Sequence, residues 1–189
     1  MTTPLPSIPN FLAGAAYQQG DMTGLFTTPM NFFMTRQILR VHQASASTTL
    51  PSAGTMTTIA FDTVDVDNYS GWNAGTHAFS PPTGLSGWFL VTSQVFIASP
   101  AAAGTGLGVQ IVSPVLTTSS SAITALANNK MPTSGTASAG STSVMAYVYL
   151  VGGSDTVLTQ ACVTNAGANA TTNLSNGLWS TMDVSWVMG

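Results

Sequence analysis

Two histidines, one cysteine and six acidic residues carry most of the chemistry this 189-residue sequence can offer. Every acid is aspartate, and the bases are Arg36, Arg40 and Lys130. His42 and His77 stand far apart, and neither has a second ligand at metal spacing. Asp62, Asp65 and Asp67, with Asn68, form the densest acidic group. Hard oxygen ligands at that density could hold Ca²⁺, but the run lacks the glycine and the closing glutamate of an EF-hand loop. Its plainer reading is a polar turn between strands. Cys162 lies between Ala161 and Val163, has no cysteine partner and has no nearby base in sequence to lower its pKa, so it reads as a small buried hydrophobe. No G-x-S-x-G marks a nucleophile on a strand-to-helix turn. A glycosidase pair would have to be drawn from the aspartates, and nothing singles out Asp155 and Asp183. Gly104-Thr-Gly106-Leu-Gly108 precedes a strand rather than a helix, which makes it a turn and not a phosphate cradle. The expectation is a protein without catalytic residues and without a cofactor.

Binding chemistry is better represented. Trp72, in the turn Gly71-Trp-Asn, could stack on a sugar, in a loop region that also carries Asn73 and His77. Its plainer role is to plug the edge of its own sheet. Met145, Tyr147 and Tyr149 alternate with Val144, Ala146, Val148 and Leu150, so this segment is apolar on both faces. One face can fill a core. The other needs cover, which a sister subunit would supply.

The elements that would position these residues are β-strands. Charged residues make up 5% of the chain, too few for the wet faces of long helices, whereas hydrophobic residues reach 44%, too many for disorder. Three basic side chains cannot form a nucleic-acid footprint. No uninterrupted apolar run approaches membrane-spanning length, and the opening residues lack a basic n-region, so neither membrane insertion nor a signal peptide is expected. Short apolar runs separated by Gly, Pro, Asn and Ser turns predict strands near Leu39–Ala46, Thr55–Phe61, His77–Phe79, Gly87–Ala98, Leu107–Ile111, Val144–Val151, Thr156–Thr164 and Leu178–Met188. Phe89, Val91, Val95 and Ile97 share one face of the fourth. Leu178, Met182, Val184, Trp186 and Met188 are expected on one face of the last. Asp65–Gly75, Ser113–Gly140 and Asn165–Asn176 read as loops, with a helical turn or weak strand near Ala122–Asn129. The pattern is that of an antiparallel sandwich or jelly roll.

Residues 1–40 differ from the remainder, residues 41–189. Pro4, Pro6 and Pro9 stiffen the entry. Asp21 can cap a turn carrying Met22, Leu25 and Phe26, and Thr28-Pro29 is a second helix start. Met30, Phe33, Met34 and Ile38 follow at roughly helical spacing. Such a short apolar segment cannot fold alone, and must dock on the body, on a sister chain or on another surface.

Two stretches carry a family resemblance. Ile8-Pro-Asn-Phe-Leu-Ala-Gly14, then Asp21-Met-Thr-Gly and Pro29-Met-Asn-Phe-Phe, resembles the N-terminal segment of virion surface proteins of tailed bacteriophages, although Gly24-Leu-Phe replaces a more helix-favouring run. The body resembles the C1q/TNF-type jelly roll, through Thr58-Ile-Ala-Phe-Asp62, Asn68-Tyr, His77-Ala-Phe-Ser-Pro81-Pro, Gly84–Ile97 and Val184-Ser-Trp186-Val. The resemblance implies an all-β body behind an extended arm with a short helix, and a non-enzymatic structural protein of the virion surface: a capsid decoration, a head fibre or a minor tail protein. It further implies attachment to capsid or tail proteins through Ile8, Phe11, Leu12, Met22, Leu25, Phe26, Met30 and Phe33. It implies a homotrimer with Met145, Tyr147 and Tyr149 near the threefold axis. The alternative it leaves open is a tail tip that binds a host receptor or glycan through Trp72, Asn73 and His77.

Overall fold

A computed structural model describes residues 37–97, 106–115, 125–130, 140–164, 169–172 and 179–188. The arm residues named above, from Ile8 to Phe33, lie outside them. The described strands are β1 (Gln37–His42), β2 (Thr49–Leu50), β3 (Thr57–Thr58), β4 (Thr63–Asp67), β5 (Trp72–Asn73), β6 (Ala78–Phe79), β7 (Gly87–Ile97), β8 (Gly106–Val115), β9 (Ala125–Lys130), β10 (Gly140–Leu150), β11 (Thr156–Thr164), β12 (Ala170–Thr171) and β13 (Thr181–Met188). One sheet runs β10-β7-β13-β1-β4 and the other β5-β6-β11-β8-β9, with β3 also on β11 and a small β12-β2 ribbon.

Eight of these strands define the architecture. Taken in chain order as β1, β6, β7, β8, β9, β10, β11 and β13, they pair first with last, second with seventh, third with sixth and fourth with fifth, always antiparallel. A long hairpin wrapped on itself in this way is an antiparallel jelly-roll sandwich, and the chain is all-β in its described residues.

Alternation explains the sandwich. On β7, Phe89, Val91, Val95 and Ile97 are fully buried and face Leu107, Val109 and Ile111 of β8 and Val157, Ala161 and Val163 of β11 across one core. Ile59 and Phe61 are fully buried as expected, although the regular strand there is confined to β3.

Several expectations are corrected. The boundary expected at residue 40 falls inside β1, and Ile38 is a buried strand residue rather than part of a helical stripe. Its spacing from Met34 suits a helix, but it lies within β1 as the extra residue of a bulge against β13, its carbonyl accepting from Asn68 N. Asp65 and Asp67 belong to β4, not to a turn. The expected loop Ser113–Gly140 begins within the end of β8, and of the two alternatives near Ala122–Asn129 the strand holds, as the edge strand β9. On β13 a register shift between Trp186 and Met188 sends Met188 outward, opposite Trp88, while Trp186 stays against the core.

Candidate functional site

The described surface offers one broad candidate, the outer face of the five-stranded sheet. β10 is its edge. The core side of β10 is buried through Val144, Ala146, Val148 and Leu150. Its other side is open in the single chain: Met145 is 62% exposed and Tyr147 56%. Among the described residues the doubly apolar strand is therefore covered on one face only. The antiparallel register places Tyr147 opposite Leu90 and Tyr149 opposite Trp88. The Trp88 and Tyr149 rings meet edge to face at 5.7 Å. Met188, opposite Trp88 from the other side, extends the apolar area onto β13. Trp88, Met145, Tyr147 and Met188 thus form an exposed apolar area on three adjacent strands.

Next to this strip the same face turns polar. The ladder Met145–Thr92–Asp183–Arg40 runs straight across four strands. A shallow groove of about 330 Å³ crosses it, lined among others by Thr92, Gln94, Ser143, Met145, Thr181 and Asp183. Asp183 Oδ1 accepts a hydrogen bond from Gln37 Nε2 at 2.8 Å and lies 3.7 Å from Arg40 Nε. Arg40 Nε is equally far, 3.7 Å, from Asp65 Oδ2. Asp65 Oδ2 is 2.9 Å from His42 Nδ1, and because an ionised carboxylate only accepts, Nδ1 carries the hydrogen. The His42 imidazole is buried beneath Trp179, with ring centroids 4.5 Å apart and planes 17° apart. Burial pushes the Asp183 carboxyl above its ordinary range, with Arg40 and Gln37 opposing and Asp65 adding to the rise.

Sequence reading missed this row. Its members are spread over the chain from Gln37 to Asp183 and come together only through the β4-β1-β13 ladder. The available signal was the i, i+2 placement of Arg40 and His42 on one strand.

The three aspartates read as a metal candidate do not converge. Asp62 accepts from the Ser45 hydroxyl and from the backbone N–H groups of Ala44, Ser45 and Ala46. Burial pushes its pKa up, but these four hydrogen bonds outweigh it and hold Asp62 at about 2. Asp65 serves His42 and Arg40. Asp67 accepts from Gly71 N and Trp72 N, closing the turn into β5. Among the described residues no three His, Cys or acidic side chains gather as a metal site.

Trp72, Asn73 and His77 are brought together, but as parts of the β5–β6 hairpin. Trp72 packs on the core beside Phe61, with centroids 6.3 Å apart, and lies 6.4 Å from His77. Asn73 Oδ1 accepts from Gly75 N and Thr76 N. His77, at φ 51°, points Nδ1 at Phe61 O, 3.2 Å away. Cys162 is buried, and burial raises its thiol pKa. Asp155 is fully buried and closes the β10–β11 turn by accepting from Val151 N at 2.8 Å.

The fold and this face define an antiparallel jelly roll with one open, partly apolar sheet surface. No family model matches the chain, and no curated protein matches it. Among solved structures, the crystal structure of murine APRIL at pH 5.0 is similar, with 16% identity and a TM-score of 0.48, covering 78% of this chain and 98% of that one. The jelly-roll class rests on the strand pairing described above.

Proposed function

We propose that this chain is a non-enzymatic structural module of a tailed-phage virion surface, assembling as a homotrimer and attached to the capsid or tail by the arm that precedes β1. The observation that carries the assembly is the exposed apolar area of Trp88, Met145, Tyr147 and Met188 on β7, β10 and β13. Large aromatic and thioether side chains left open on a sheet face are the usual anchors of a protein interface. The chain's charge supports a life within an assembly, since a formal net charge of −3 on 189 residues gives weak mutual repulsion. The threefold count and the virion location come from the resemblance of the body to C1q/TNF-type modules and of the arm to phage surface proteins.

Two measurements test this reading. Light scattering of the full chain should give a native mass near three times 19.4 kDa. A monomer at all concentrations would overturn the trimer. Full-length protein carrying Phe11→Ser, Phe26→Ser and Phe33→Ser should keep that mass but fail to attach to particles lacking the protein. Undiminished attachment would overturn the anchoring role of the arm.

A further inference from the structure

The polar row beside the apolar strip has a charge imbalance. At neutral pH the row holds one guanidinium, Arg40, against two carboxylates, Asp65 and Asp183. His42 is the remaining titratable member of the row. The groups facing the row come from five strands and one flanking residue. β1 supplies Gln37, Arg40 and His42, β4 supplies Asp65, β13 supplies Asp183 and Thr181, and β7 supplies the uncharged Thr92 and Gln94. Trp179 covers His42. β10 contributes the uncharged Ser143 and Met145 at the far side of the groove.

Geometry ties this row to the apolar strip. Met145 and Asp183 lie on the same cross-strand ladder, two strands apart, which is about 10 Å. A sister chain that covers Met145 and Tyr147 therefore removes water from Asp183. The single arginine stands 3.7 Å from each carboxylate and cannot neutralise both. Desolvating an unbalanced charge is costly, and one proton on Asp183, whose carboxyl burial already pushes up, cancels it.

We propose that self-association through this sheet face is linked to uptake of a proton by the Asp183–Arg40–Asp65–His42 row, so that assembly tightens as the pH falls. This rests on the reading that the outer face of the five-stranded sheet is the contact between copies. One linked proton tightens association at most about tenfold per pH unit. Asp62 does not titrate in the relevant range, because it is held at about 2. His77 lies apart, on the β5–β6 hairpin.

The test uses the full chain. Sedimentation equilibrium should show the association constant rising about 10- to 100-fold per copy assembled between about pH 7.5 and pH 5.5. It should rise by the same factor at high salt, where general repulsion between copies is screened. Asp183→Asn should associate more tightly than wild type at neutral pH and flatten the dependence. His77→Gln should leave the slope unchanged. Dilution calorimetry of the wild type in two buffers of different ionisation enthalpy counts the protons directly and needs no variant. Assembly with a flat pH profile and no proton uptake would overturn the linkage alone. A chain that stays monomeric at every pH would instead overturn the contact-face reading beneath it.

Discussion

The Trp179 indole lies flat on the His42 imidazole, 4.5 Å between centroids and 17° from parallel, although the two residues enter the sheet from opposite ends of the chain. Trp179 precedes β13, and His42 ends β1, whose partner on β13 is Thr181. The stack closes the polar row at its far end. His42 is left 5% exposed, while Trp179 keeps 43% of its surface open. Stacked ring pairs contribute about 0.5–1.5 kcal/mol beyond the area they bury. Trp179→Ala should therefore cost about 1–2 kcal/mol in a urea titration, with Trp179→Phe recovering most of it. A double-mutant cycle with His42→Ala should show coupling near about 1 kcal/mol, and additive losses would refute the stack as an energetic contact.

Asp62 ties the segment Ala44–Ala46 to the body through four hydrogen bonds. Its carboxylate is largely exposed, so the tie resembles a helix N-cap in strength, and Asp62→Asn should cost about 1 kcal/mol at neutral pH. The folded pKa, about 2, lies below the ordinary 3.8. Stability from this group is complete above the unfolded value and disappears as the pH falls through the folded one. The difference between wild type and Asp62→Asn should therefore stay constant from about pH 7 to about pH 5, then close between about pH 4 and about pH 2. A difference that persists undiminished at the acid end would show that the carboxylate charge is not what holds the segment.

The core was readable in the sequence where period-2 alternation is long. Phe89, Val91, Val95 and Ile97 on β7 are buried as their spacing predicts, and β11 spans Thr156–Thr164 as expected. Short strands were less legible. Thr63–Asp67 carries three charged or polar residues in five and looks like a turn, yet it is an edge strand whose aspartates each hold a separate local contact. Edge strands tolerate such composition because one side of the ladder faces water. Ile38 was ambiguous because a spacing of four from Met34 suits a helix, and only its place in β1, where its carbonyl accepts from Asn68 N, decides for a strand. The polar row could not be read at all, since nothing local links Asp183 to Arg40.

The β5–β6 hairpin separates a structural tryptophan from a ligand-binding one. Trp72 leans on Phe61 and the core. Gly71 is required beside it, because a Cβ there would meet Ser80 O at 2.4 Å and Phe79 Cε2 at 2.5 Å. Gly71→Ala should cost about 1–3 kcal/mol by overpacking, and Trp72→Ala about 2–4 kcal/mol by leaving a partly open cavity. Both losses should appear as lower thermal midpoints. A Trp72→Ala protein of unchanged stability would mean the ring contributes nothing to the hairpin, and would reopen its reading as a sugar platform.

The apolar strip makes the opposite prediction. Met145 and Tyr147 touch solvent in the single chain over more than half their surface, so their removal takes little from the core. Met145→Ser with Tyr147→Ser should change the stability of the isolated chain by no more than about 0.5 kcal/mol per site. In an assembly the same side chains would be buried, and each is worth about 1.5–3 kcal/mol when fully removed from water. Losing both from every copy should weaken association by at least about 100-fold, since each 1.4 kcal/mol is about a factor of ten. The pair of readings discriminates sharply. Unfolding of the dilute chain by urea should be nearly unchanged, whereas the native mass at micromolar concentration should fall to that of one chain. A variant that keeps the wild-type mass would place the contact between copies elsewhere on the jelly roll. A variant that loses its fold would show that the outer face of β10 is covered by the chain itself.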